Sequence, residues 1–218
     1  MNELPRQRLR LRYRKDEVLM WISHRDLLRF VMRLVRRAEV PFATSGRFSP
    51  KPKVTFGPAL PLGVMADNEL LDIELEAGLA WEVDDVKRCA KAISDATLPR
   101  DFLAGLTIVK QGSPTLGKSI SAATYSIDYP EDSDTSAIEE ILGRDSLEVV
   151  DKKDRAVDLR RVILSWKLEG RSLQIVGNPA DGQNLNITLL AGLLTNEAGL
   201  KPDSITRLGF LDNMGRQL

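Results

Sequence analysis

Leu9, Leu11 and Tyr13 alternate with Arg8, Arg10, Arg12 and Arg14 near the start of the chain. Alternate residues of a β-strand share a face, so the pattern predicts a strand over 6–14 with one apolar wall and one wall of arginines, Arg6 included. After a short apolar continuation over 18–22 the period changes. Ser23-His24-Arg25-Asp26 reads as an N-cap with an acid three positions on. Leu27, Phe30, Val31, Leu34, Val35 and Ala38 then recur at helical spacing, which predicts a helix to about residue 38. Arg25, Arg29, Arg33, Arg36 and Arg37 fall on a second stripe of that helix, so it repeats the charge of the strand.

Residues 45–53, from Ser45 through Gly46, Arg47, Phe48, Pro50, Lys51 and Pro52 to Lys53, are proline-dense and expected to be irregular. Strands are expected over 54–60, 70–76 and 106–110, and a helix over 83–96. The order is βαββαβ, the ferredoxin-like arrangement of two helices on one face of a four-stranded antiparallel sheet. A stretch of linker composition follows at 111–117. Beyond it, strands are expected at 124–129, 147–151, 162–168, 172–176 and 204–211, and helices at 136–143 and 187–198. These bend into a second βαββαβ unit with one strand to spare. The expected fold is α+β, with tandem ferredoxin-like βαββαβ domains built on antiparallel sheets. A basic N-terminal domain over 1–112, a linker over 113–120 and an acidic C-terminal domain over 121–218 make up the chain.

Charge sharpens this division. The net charge of the 218 residues is zero, but residues 1–60 hold 14 Lys+Arg against 5 Asp+Glu, a local +9, and residues 61–218 hold 17 against 26, a local −9. Such asymmetry points to nucleic-acid contact. No run of about 18 apolar residues occurs, and none stands behind the arginine-rich start. Neither a membrane span nor a secretory leader is therefore expected, and the expected location is cytoplasmic.

Cys89 and His24 are each alone of their type. That excludes an internal disulfide, a cysteine or histidine metal cluster and a three-cysteine iron–sulfur cradle, so no cofactor is expected. Cys89 shares helical spacing with Val86, Ala90 and Ile93 and reads as a buried structural thiol. His24, in the first turn of a helix among arginines, is the one candidate general base. Its alternative is local packing.

The basic features carry two readings. Asp72, Glu74 and Glu76 alternate on the strand expected beside the first, so Arg10, Arg12 and Arg14 either pair with these acids or face a ligand. The helix stripe Arg25, Arg29, Arg33, Arg36 and Arg37 has few acids nearby. With Arg47, Lys51 and Lys53 it supplies cations for phosphates, and Phe48 supplies a ring on which an unpaired base stacks. The alternatives are a plain solvated helix face and a crossover loop with Phe48 tucked into the core.

At Ser23-His24-x-Asp26-Leu27, Arg36-Arg37-Ala38, residues 45–53 and Pro61-Leu62-Gly63, the chain resembles the bacterial radical SAM-linked protein family, a domain of unknown function. The likeness is specific over 8–76 and diffuse afterwards, where Val157-Asp158-Leu159-Arg160 is its clearest echo. Arg47 stands where that family usually has glycine. The resemblance implies an accessory role beside a radical SAM enzyme, in RNA modification, with structured RNA and that enzyme as partners and no membrane. Lacking three cluster cysteines, the chain would not perform the radical step itself. At fold level only, paired ferredoxin-like halves with a helix-borne histidine are similar to CRISPR repeat-processing endonucleases. The expectation is a non-catalytic RNA-binding adaptor. A protein-only interaction module, or a metal-independent endonuclease or transferase using His24, stands as the alternative.

Overall fold

A computed structural model describes residues 7–45, 48, 50–97, 101–179 and 184–218. Arg6, Gly46 and Arg47, singled out above, lie outside them. The fold is mixed α+β with mostly antiparallel strands. It divides into two compact units, Met1–Ala59 with Asp67–Ser119, and Leu60–Ala66 with Ile120–Leu218.

The first unit runs through β1 (Arg8–Lys15), α1 (His24–Arg37), the short β2 (Thr44–Ser45) and β3 (Lys51–Pro52), and β4 (Val54–Phe56). It continues through β5 (Met65–Glu74), α2 (Val83–Asp95), β6 (Leu103–Val109) and the single turn α3 (Leu116–Ser119). Its strands lie in the order β4-β5-β1-β6. Both β4 with β5 and β1 with β6 pair antiparallel, Val54 opposite Ile73 and Leu9 opposite Ile108. The apolar wall of β1, Leu9, Leu11 and Tyr13, joins Leu71, Ile73 and Leu75 in a core with Leu27, Val31, Leu34 and Val35 of α1 and Cys89 and Ile93 of α2. Burying such side chains contributes about 1.5–3 kcal/mol each, which is what fixes the alternation of β1 to one face.

Both ends of α1 are closed by local chemistry. The Ser23 side chain accepts a hydrogen bond from the Asp26 N–H at 3.2 Å, as its N-cap position predicts. At the other end the Val40 N–H reaches the Val35 carbonyl at 3.1 Å and the Glu39 N–H reaches that of Arg36 at 3.2 Å. This is a Schellman closure, with Glu39 in the left-handed position at φ 52.

Several expectations for this unit need correction. The stretch expected to be irregular holds a paired hairpin, Thr44 opposite Pro52 and Ser45 opposite Lys51, a short edge pairing that tolerates a proline without an N–H to donate. β4 ends at Phe56 instead of reaching 60, and β5 starts at Met65 instead of 70. The stretch expected as a linker carries α3, with Leu116 fully buried.

The second unit contains β7 (Ala122–Asp128), α4 (Ser136–Leu142), β8 (Glu148–Val150), β9 (Ala156–Asp158), β10 (Ile163–Glu169), β11 (Ser172–Gly177), α5 (Ile187–Ala198) and β12 (Ser204–Leu211). Its strand order is β10-β11-β7-β12, every pair antiparallel. Met65 and Ala66, at the start of β5, belong to this unit and pair in parallel with Thr206 and Arg207. The strand to spare is explained by β8 and β9, which pair only with each other. α5 is capped by the Asn186 side chain and ends at Gly199, φ 68, a conformation in which glycine carries no Cβ penalty. No helix among the described residues is long and apolar enough to cross a membrane.

Candidate functional site

An α-helix advances 100° per residue, which places Arg25, Arg29, Arg33, Arg36 and Arg37 within an arc of about 120°, opposite the buried Leu27, Val31 and Leu34. All five arginines are exposed. Arg29 pairs with Asp26 at 3.0 Å. No ion pair holds Arg25, Arg33 or Arg37 among the described residues. The hydrogen bond from the Ser23 hydroxyl, with Arg29 and Arg25 adding to it, holds the Asp26 carboxyl below its usual range. Asp26 therefore stays ionised beside Arg29 and Arg25, and with Arg33, Arg36 and Arg37 further along the helix the face is strongly cationic.

The hairpin β2–β3 stands at the end of this face. The Arg36 guanidinium reaches the Pro50 carbonyl in a long 3.5 Å hydrogen bond, tying the hairpin to the last turn of α1. Its base is anchored by the Lys53 N–H on the Ala43 carbonyl (2.9 Å) and the Ala43 N–H on the Glu74 carbonyl (2.7 Å). Phe48, between its two strands, is 97% exposed. The reading of Phe48 as a core residue is overturned, since the ring forgoes the roughly 1.5–3 kcal/mol that burial contributes. Lys51 is exposed, whereas Lys53 lies 3.5 Å from Glu74.

The arginine wall of β1 splits in two. Arg10 meets Asp72 through two bonds, Nε to Oδ1 at 2.7 Å and Nη2 to Oδ2 at 3.0 Å. Arg8 adds Nη1 to Oδ2 at 3.1 Å, and its Nη2 donates to the carbonyls of Ser113 and Pro114 at 2.7 and 2.8 Å. Asp72 is 2% exposed, so this half of the wall is structural. Arg12 and Arg14 are exposed and pair with no acid among the described residues. Gly105 stands opposite Arg12 on β6, leaving that guanidinium without a crowding neighbour across the ladder.

His24 is exposed and lies edge-on to the Phe56 ring, centroids 5.0 Å apart. It makes no hydrogen bond to another described residue, so nothing orients it as a base. Cys89 lines a groove of about 280 Å³ with Glu39, Trp81, Asp85 and Arg88. Burial pushes its thiol up to about 11, the state of an inert structural cysteine. No group of three potential metal ligands occurs among the described residues. Sequence reasoning passed over Trp21, which reads as part of an apolar continuation but is 65% exposed at the end of the 3₁₀ turn Leu19–Trp21. The break in helical spacing between Trp21 and Leu27 is the one signal that could have marked it.

The site residues thus gather in part. Arg25, Arg29, Arg33, Arg36 and Arg37 share one face, Lys51 and Phe48 belong to the hairpin at its end, and Lys53 is engaged with Glu74. The chain belongs to an uncharacterised protein family conserved in bacteria, DUF2344, whose model matches residues 8–199. No curated protein matches it.

Proposed function

We propose that this member of the DUF2344 family is a non-catalytic RNA-binding adaptor that presents structured RNA to a radical SAM RNA-modifying enzyme in the cytoplasm. The observation that carries the reading is the exposed face of α1, where five arginines gather and, among the described residues, only Arg29 meets an acid. Guanidinium groups in such a row neutralise successive phosphates, and the bare ring of Phe48 offers a π-face to a base. The motif likeness at residues 23–27, 36–38, 45–53 and 61–63 supports the radical SAM partner, and one cysteine cannot hold that partner's cluster. Strand orders β4-β5-β1-β6 and β10-β11-β7-β12, each threaded by two main helices, support a tandem ferredoxin-like architecture. The acidic remainder of the chain, −9 over residues 61–218, is left to dock the enzyme.

The test is RNA affinity against salt for the native chain and an Arg33→Glu, Arg37→Glu, Lys51→Glu variant. Log affinity falls with log salt by about 0.7 per neutralised phosphate on single strands, and the variant binds weakly with a shallower slope. Equal, weak binding by both proteins overturns the reading and makes the basic face a protein-docking surface.

A further inference from the structure

We infer that the RNA segment held on α1 is single-stranded and that Trp21 stacks a base at the end of the helix opposite Phe48. The inference rests on the RNA-binding reading above and adds the strandedness and length of the bound segment. Trp21 lies two residues before the N-cap Ser23 and is 65% exposed. Phe48 is 97% exposed in the hairpin that Arg36 ties to the last turn of the same helix. Arg25, Arg33 and Arg37, without an ion pair among the described residues, lie on the helix between Trp21 and the hairpin that carries Phe48. Isolated exposed apolar side chains are ordinary on protein surfaces. An exposed aromatic ring beyond each end of one arginine-bearing helix is a different pattern.

A base-paired helix does not use it. In a duplex each base is already stacked on both faces and turned inward, so flanking rings reach only the backbone or the blunt ends. An unpaired strand offers both parts, phosphates for the arginines and free base faces for the rings. The 14 residues of α1 span about 21 Å. That is about six nucleotides at the stacked rise of roughly 3.4 Å.

The experiment is fluorescence anisotropy at low salt with labelled unstructured oligoribonucleotides of about four, eight and twelve nucleotides and a twelve-base-pair RNA duplex. The native chain, Trp21→Ala and the Arg33→Glu, Arg37→Glu, Lys51→Glu variant are compared. Expected are tighter binding of single strand than of duplex and a rise in affinity between the four- and eight-nucleotide probes. Trp21→Ala should bind the eight-nucleotide strand between about five- and a hundredfold more weakly, with its salt slope and duplex affinity unchanged. Trp21 is exposed, so folding is not at stake, and circular dichroism verifies it. Duplex bound as tightly as single strand, or Trp21→Ala binding like the native chain, overturns the inference while the charge variant's loss keeps the adaptor reading alive. No binding of any RNA, or a charge variant that binds normally, removes both.

Discussion

Arg10 grips Asp72 through two parallel hydrogen bonds, at 2.7 and 3.0 Å, with the carboxylate 2% exposed. Arg8 adds a third bond to the same carboxylate and extends to the carbonyls of Ser113 and Pro114. One acid therefore fastens β1 to β5 and to the turn before α3. Asp72→Ala leaves two guanidinium groups facing a site closed to water. Loss of a buried partner costs 3–5 kcal/mol in general. Because Arg8 and Arg10 keep 17% and 15% exposure, the lower end, about 3 kcal/mol, is expected in urea unfolding. A cost below about 1 kcal/mol would refute the structural role assigned to this half of the arginine wall.

Alkaline pH should destabilise the protein through two overlapping titrations. Burial raises the Cys89 thiol to about 11 and the Tyr129 phenol to about 12 from ordinary values of 9.0 and 10.0. Below about pH 8 both are protonated in the folded and unfolded chain, so neither makes stability depend on pH. As pH rises from about 8 to about 12 the unfolded chain releases these protons first, and stability falls. Tyr129→Phe removes the upper step. Its hydroxyl is buried without a hydrogen-bond partner among the described residues, so the substitution should also raise stability at neutral pH by about 1 kcal/mol. Urea midpoints at pH 7 and pH 11 measure both effects.

Glu39→Gly should stabilise the chain by about 0.5–1 kcal/mol. Glu39 occupies the left-handed position that closes α1, φ 52, where a Cβ costs energy that glycine avoids. A thermal melt that moves downward contradicts this account.

Gly177→Ala should destabilise. A Cβ there would stand 2.7 Å from the Cβ of Leu185, which is 2% exposed, too close for either backbone to leave the other in place. Overpacking of this kind costs about 1–3 kcal/mol, readable as a lowered urea midpoint at unchanged slope.

Elements whose cause is local were legible in the sequence. α5 and β12 occupy the expected spans, bounded by the Asn186 cap, Gly199 and the apolar period between them. Ser23 opens α1 as its side-chain chemistry predicts. What escaped depends on distant partners. The first residues of β5 include Asp67, Asn68 and Glu69, which read as a polar turn, yet Met65 and Ala66 are drawn into a strand by Thr206 and Arg207. The arginine period of β1 announced a charged face but carried no sign of which arginine meets Asp72, because register between distant strands decides that. The exposed arginines of α1 follow from helical geometry alone. Phe48 and Trp21 could not be told from core residues, since an aromatic letter does not state whether its ring finds a pocket.

The assignment of residues 60–66 to the second unit makes both halves discontinuous along the chain. A single cut in the segment after β6 does not release two complete pieces. The piece beginning at residue 120 would lack Val64 and Ala66, which are 0% and 2% exposed, and would leave the β12 backbone at Thr206 and Arg207 without its parallel neighbour. Nicking, gene splitting and circular permutation must therefore respect an interleaved topology, in which the halves are inherited together although each has a strand order of its own.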